Sequence, residues 1–212
     1  MNGEKSRAVI MAGADISDYS FFTPLSGDYV ICADRGYLHA KTLGISPDIL
    51  LGDFDSLDIP LPENTEKIIF PAEKDETDLQ IAISHAISQG FEEVYVIGAT
   101  GGRTDHFLGN IALLHWAKKR GCRVILEDAD THIQLLSGAL TLQRRTDFYL
   151  SLIPFAGDAV VSVSGVKYPL AHAVLPLGDT LGISNEITAD KASITVHHGE
   201  VLVLQCRTDK HL

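Results

Sequence analysis

The sequence predicts an α/β domain with a mainly parallel sheet, followed by a small all-β sandwich. Three observations predict it. Over residues 1–130, short apolar runs alternate with longer amphipathic ones. That alternation stops near Asp130. Beyond it, strand-like runs are separated by turn signals alone. The reading divides the chain into domains at 1–130 and 131–212.

The apolar runs at 8–12, 29–33, 49–51, 67–70, 94–97 and 123–126 read as strands. Residues 77–89 place Leu79, Ala82, Ile83, Ala86 and Ile87 on one helical face, and Gly90 is a natural stop. Residues 105–120 do the same with Leu108, Ile111, Ala112 and Leu114. They end in Lys118, Lys119 and Arg120, basic charge at the negative end of a helix, before Gly121. In the second part, 147–153, 159–163, 193–196 and 200–205 read as strands. The turn signals Ala156-Gly157-Asp158 and His198-Gly199-Glu200 separate them.

Composition bounds the function. The chain has 212 residues, 45% hydrophobic, enough for a core. With 28 acidic residues against 17 basic, its formal charge is −11, a poor match for nucleic acid or an anionic membrane. Its 3 cysteines, Cys32, Cys122 and Cys206, are far apart and form no CxxC pair, as expected of reduced thiols. No secretory leader is read at the N-terminus, and no run reaches the roughly 18 apolar residues of a membrane span. A soluble, cytoplasmic protein is expected.

Polar residues gather where the predicted strands end, the places at which a parallel sheet presents ligand-binding loops. The ends carry Asp34-Arg35-Gly36, then Gly52-Asp53-Phe54-Asp55-Ser56. Further on come Lys74-Asp75-Glu76-Thr77-Asp78 and the loop 98–106, Gly98-Ala99-Thr100-Gly101-Gly102-Arg103-Thr104-Asp105-His106. In an extended chain Asp53 and Asp55 point to one side and repel unless a cation sits between them. Hard carboxylate oxygens suit Mg²⁺, with waters and phosphate oxygens completing its shell. The competing reading is a turn in which Asp53 caps a backbone N–H. An EF-hand is excluded, because Asp58 and Asn64 stand where it needs glycine and glutamate. Asp78 opens a helix, an ordinary place for an acidic residue, and Asp75 or Thr77 serves as its cap. If the strand ends converge, Asp78 is a third carboxylate for the same metal. Glycines in the 98–106 loop allow close backbone approach, the following helix aims free N–H groups into it, and Arg103 adds a phosphate fork. The alternative is a tight strand-to-helix turn capped by Thr104 or Asp105. Neither a Walker A loop nor GxGxxG, a zinc spacing or a GxSxG elbow is present.

The motifs "ADRG" (33–36), "GDFDS" (52–56), "DETD" (75–78), "GGRTDH" (101–106) and "GISNE" (182–186) together resemble the bacterial thiamine pyrophosphokinases, in that family's order and over nearly the whole chain. The resemblance implies a catalytic α/β domain that binds ATP and Mg²⁺, and a β-sandwich that binds thiamine. It implies a homodimer with active sites between subunits. The reaction moves the pyrophosphoryl group of ATP to the thiamine hydroxyl, giving thiamine diphosphate and AMP. By the same resemblance, Asp53, Asp55 and Asp78 hold Mg²⁺, and Asp34 and Asp105 complete the acidic site. Thr100, Gly101, Gly102, Arg103 and Lys74 hold ATP phosphates. Ser184 and Asn185 approach the thiamine pyrimidine, and Tyr168 stands where some members carry tryptophan beside the thiamine ring. Two alternatives are a pyrophosphokinase for another heterocyclic alcohol, such as a hydroxymethylpterin, and a non-catalytic thiamine diphosphate or nucleotide sensor. A DxD glycosyltransferase leaves the 98–106 loop unexplained.

Overall fold

A computed structural model describes residues 7–54, 57, 59–71, 73 and 75–208. The chain is sheet-rich, with parallel and antiparallel pairing and few helices, and forms two compact units, Met1–Ala129 and Asp130–Leu212. Asp55, Ser56, Asp58 and Lys74 lie outside the described residues.

The first unit is built on parallel strands in the order β4-β3-β2-β1-β5-β6. These are β1 (Arg7–Met11), β2 (Asp28–Ala33), β3 (Ile49–Gly52), β4 (Glu66–Ile69), β5 (Glu93–Ile97) and β6 (Arg123–Glu127). The central strands are continuous apolar runs because the crossover segments cover both faces. Ala8, Val9, Ile10 and Met11 are fully buried. Helices α1 (Tyr37–Leu43), α2 (Asp78–Ser88) and α3 (Thr104–Lys118) join strands. In α2, Thr77 is the N-cap, its hydroxyl accepting from the Gln80 N–H at 3.2 Å, and Leu79, Ala82, Ile83 and Ala86 are buried as the spacing requires.

Two details differ from the sequence reading. The seven residues of α1 carry too short a pattern to announce a helix. In α3 the buried residues are Leu113, Leu114 and Ala117, whereas Leu108 and Ala112 face solvent. Apolar residues occur on several sides of that helix, so its pattern does not single out the packed face.

The second unit is antiparallel, in the order β7-β10-β8-β9: β7 (Thr131–Gln143), β10 (Lys191–Arg207), β8 (Phe148–Ser164) and β9 (Leu170–Leu175). Its core joins Leu150, Leu152, Val161, Val163, Ile194 and Val203. Here the residues expected as turns lie inside strands. Ala156-Gly157-Asp158 falls within β8, and His198-Gly199-Glu200 within β10. The β8–β10 register shifts where these segments meet, between Val196 and Glu200. Before the irregularity β8 buries Leu150, Leu152 and Pro154, and after it Ala159, Val161 and Val163. Strand β10 likewise buries Ala192, Ile194 and Val196, then Val201, Val203 and Gln205. Both strands step by one residue at the same place, so each keeps one face on the core.

Candidate active site

From β1 the chain runs outward through β2, β3 and β4, then returns to β5 on the other side of β1. The carboxyl ends of β1 and β5 therefore flank a topological switch point, where open parallel sheets bind ligands. The loops leaving those ends are tied together. Ala12 N–H donates to the Ile97 carbonyl at 2.9 Å, and Ala14 N–H to that of Gly98, also at 2.9 Å. Gly98 has φ +70°, and a Cβ there would lie 2.4 Å from the Ala12 carbonyl oxygen, so only glycine lets the loops approach.

Below them, His39 of α1 is buried. Its Nε2 lies 2.9 Å from the Ala14 carbonyl oxygen and its Nδ1 2.7 Å from the Tyr19 hydroxyl. A carbonyl only accepts, so Nε2 carries the proton, and in the neutral ring Nδ1 accepts from Tyr19. Burial lowers the His39 pKa and keeps the ring neutral.

The neighbouring strand ends continue the row. Asp34, half-buried at φ +47°, follows β2. Gly52 ends β3 at φ +152°, where a Cβ would stand 3.1 Å from the Asp34 Cα, so the second glycine lets "GDFDS" close on "ADRG". A Cβ on Gly13 would be 3.3 Å from the Arg35 Cβ, so the β1 and β2 ends are in contact too. Asp53 follows directly on β3, and Asp78 is the first residue of α2. Phe54 packs on the cluster containing Met11, Val30 and Leu50, as expected of its apolar ring. Its φ of +58° is left-handed, so the extended-chain reason for placing Asp53 and Asp55 on one side does not apply. Among the described residues, no three His, Cys, Asp or Glu side chains are grouped to hold a metal ion. The donor chemistry nonetheless fits Mg²⁺, which takes one or two carboxylates and fills its shell with water and phosphate oxygens.

In the loop after β5, Arg103 and Asp105 form an exposed fork. Nη2 lies 2.6 Å from Oδ2 and Nε 3.1 Å from Oδ1, and the His106 N–H adds a third bond to Oδ1 at 3.0 Å. The guanidinium holds the Asp105 pKa down at about 2. Residues that the sequence treated singly are thus a pair. Two further residues brace this loop. The Thr100 hydroxyl donates to Asp128 Oδ2, and the Asn110 amide donates to the Ala99 carbonyl at 2.9 Å. Asp128 follows β6, and the strand-end rule applied once more would have found it. Gly101 and Gly102 are exposed beside Thr100.

The second unit has an apolar cavity of about 210 Å³, lined by Leu150, Leu152, Leu170, Ile183, Tyr168 and Asn185 among others. Tyr168 is 60% exposed. Ser184, at φ +60°, donates its N–H to the Ser151 hydroxyl at 3.0 Å. Asn185 exchanges backbone bonds with Leu150 at 2.8 and 2.9 Å and sends its side chain to the Tyr168 backbone. Lys167 and Glu186 form an ion pair at 3.0 Å that sequence reasoning did not single out.

Taken by unit, the first carries glycine-bearing loops at the ends of parallel strands, and the second an antiparallel sheet with an apolar cavity beside Tyr168. Comparison with known proteins narrows the class. The family model for the thiamin pyrophosphokinase catalytic domain matches residues 25–126, and that for the thiamin pyrophosphokinase vitamin B1 binding domain matches 139–201. The thiamine pyrophosphokinase of Bacillus subtilis is 34% identical over 183 residues, covering 82% of this chain and 86% of its own. A crystal structure of the Bacillus subtilis enzyme superposes with a TM-score of 0.85 at 31% identity, over 96% of this chain and 100% of the other. One of a thiamin pyrophosphokinase family protein from Enterococcus faecalis does so at 0.83 and 30%, over 96% and 100%. The chain belongs to the thiamine pyrophosphokinase family. It is an ATP-dependent diphosphokinase, and neither the hydroxymethylpterin alternative nor the sensor alternative is favoured.

Proposed function

We propose that this chain makes thiamine diphosphate and AMP from thiamine and ATP, with the phosphates of ATP held at the strand ends of the first unit. The observation that supports this placement is the run of contacts across adjacent ends: Gly52 on Asp34, Gly13 on Arg35, and Ala12 and Ala14 on the Gly98 segment. In this reading Thr100, Gly101 and Gly102 offer backbone to the phosphates at the N-terminus of α3. Arg103 turns its fork from Asp105 to phosphate oxygens, and Lys74 adds charge. Asp53, Asp55 and Asp78 would hold Mg²⁺, which supplies charge neutralisation on ATP oxygens. Asp34 completes the acidic site.

Asp105 releases Arg103 and helps orient the attacking hydroxyl. While Arg103 holds it, Asp105 is a poor proton acceptor, and once the pair opens its part is to position the hydroxyl. Transfer of this kind rests on alignment and neutralisation more than on covalent work by the protein. Thiamine lies with an aromatic ring on the Tyr168 wall, beside the segment of Ser184 and Asn185. A tyrosine face suits the thiazolium cation.

In the same reading, residues 1–130 are the α/β catalytic domain and residues 131–212 a small thiamine-binding sandwich. The protein works in the cytoplasm as a homodimer with active sites between subunits. Incubation with MgATP and thiamine, followed by chromatography of products, tests the reaction. AMP with thiamine diphosphate is expected. ADP with thiamine monophosphate would overturn pyrophosphoryl transfer.

A further inference from the structure

We infer that Asn185 serves the thiamine site as a positioning residue, acting through the Tyr168 backbone rather than by touching substrate. The inference rests on the reading that thiamine lies against Tyr168. A carboxamide offers an oxygen with two lone pairs and two N–H donors. In Asn185, Oδ1 accepts from the Tyr168 N–H at 3.1 Å and from the Glu186 N–H at 2.9 Å. Nδ2 donates to the Tyr168 carbonyl at 2.8 Å. Both lone pairs and one donor are therefore engaged within the protein. The side chain exchanges an N–H and a C=O bond with Tyr168, as a neighbouring strand would.

The residue's own backbone is meanwhile paired with Leu150 of β8. Asn185 thus ties the exposed Tyr168 to the sheet beneath the cavity. Both bonds that Asn185 makes to Tyr168 go to its main-chain atoms, and none goes to the phenol. The ring stays available as a wall, at a height over the cavity set by Asn185. Contact with thiamine through the carboxamide oxygen would have to give these bonds up, and only the second Nδ2 hydrogen is left to reach a substrate.

A double-mutant cycle separates the two roles, because residues acting through one another are not additive. Thiamine KM is measured at saturating ATP for Tyr168→Ala, Asn185→Ala and the double variant, with ATP KM as the reference. Tyr168→Ala is expected to raise thiamine KM about tenfold, Asn185→Ala by a similar factor, and the double variant by no more than Tyr168→Ala alone. ATP KM stays unchanged. Factors that multiply in the double variant overturn the inference and indicate direct contact. An unchanged thiamine KM in Asn185→Ala overturns it as well. An unchanged KM in Tyr168→Ala overturns the reading that thiamine lies on the ring, and the inference with it. Thermal unfolding checks that each variant is folded. Should Asn185→Ala not fold, the cycle runs with Asn185→Asp, which keeps both acceptor bonds and sets a carboxylate oxygen against the Tyr168 carbonyl in place of the donor. A rise in thiamine KM, again absent on the Tyr168→Ala background, is then expected, and a rise that persists there overturns the inference.

Discussion

Asp105 is held ionised by Arg103 and by the His106 N–H far below the pH at which enzymes of this kind work. Two outcomes follow at the level of single residues. The pH profile of kcat/KM, which reports the free enzyme with the pair intact, should carry no inflection belonging to Asp105 between about pH 5 and 8, so Asp105→Asn should lower kcat/KM while leaving the acid limb where it is. A limb that moves with the substitution would count against this. The pair itself does little for stability, because both side chains are exposed. Its carboxylate pKa is depressed on folding, so that small contribution is present above the ordinary carboxylate value and fades as pH falls towards about 2. The second outcome concerns Asp55. Asp55→Asn should cut AMP formation by more than about a hundredfold while the far-ultraviolet circular dichroism stays unchanged. Normal turnover in that variant would remove the carboxylate–metal reading.

Between elements, His39 joins α1 to the loop leaving β1 through the Ala14 carbonyl, with Tyr19 on its other nitrogen. Burial lowers its pKa, so near and just below the ordinary value of 6.5 the unfolded chain binds more protons than the folded one. Stability must then fall as pH drops from about 7 to 5. His39→Gln, whose amide can still donate to Ala14, should cost about 1–2 kcal/mol at pH 7 and flatten the dependence of Tm on pH. It should not abolish the dependence, because burial also lowers the pKa of His85 beside Tyr29. An equally steep Tm profile in the variant would assign the dependence elsewhere.

The helix that carries His39 was invisible in the sequence, whereas the strands around it were plain. Strands covered on both faces write themselves as unbroken apolar runs, but seven residues of helix make scarcely two turns of pattern. In the all-β unit, β8 and β10 each read as two strands, because their bulges use the residues that also make turns. Strand-end aspartates could be read from position alone. The Arg103–Asp105 fork and the Asn185 clasp could not, since they depend on side-chain directions and on loops brought together by the fold.

For the molecule as a whole, the net charge of −11 favours approach of a cationic substrate, and thiamine KM should rise with ionic strength. The proposed homodimer should sediment at twice the chain mass of 23.0 kDa, and a monomer at assay concentrations would contradict it. The joint step of β8 and β10 bears on how such a chain can change length over time. With side chains alternating along each strand, the irregularity works like a reading frame shared by two distant stretches of sequence. Losing one residue from 156–158 would remove the step from β8 and leave Ala159, Val161 and Val163 in plain alternation with Leu150, Leu152 and Pro154, still on the core face. Losing one near Gly199 would do the same for β10, bringing Val196 and Val201 into plain alternation. Loss of one residue should therefore be inherited at this step, in either strand, and not within the alternating runs beside it, where it would turn a buried row to solvent.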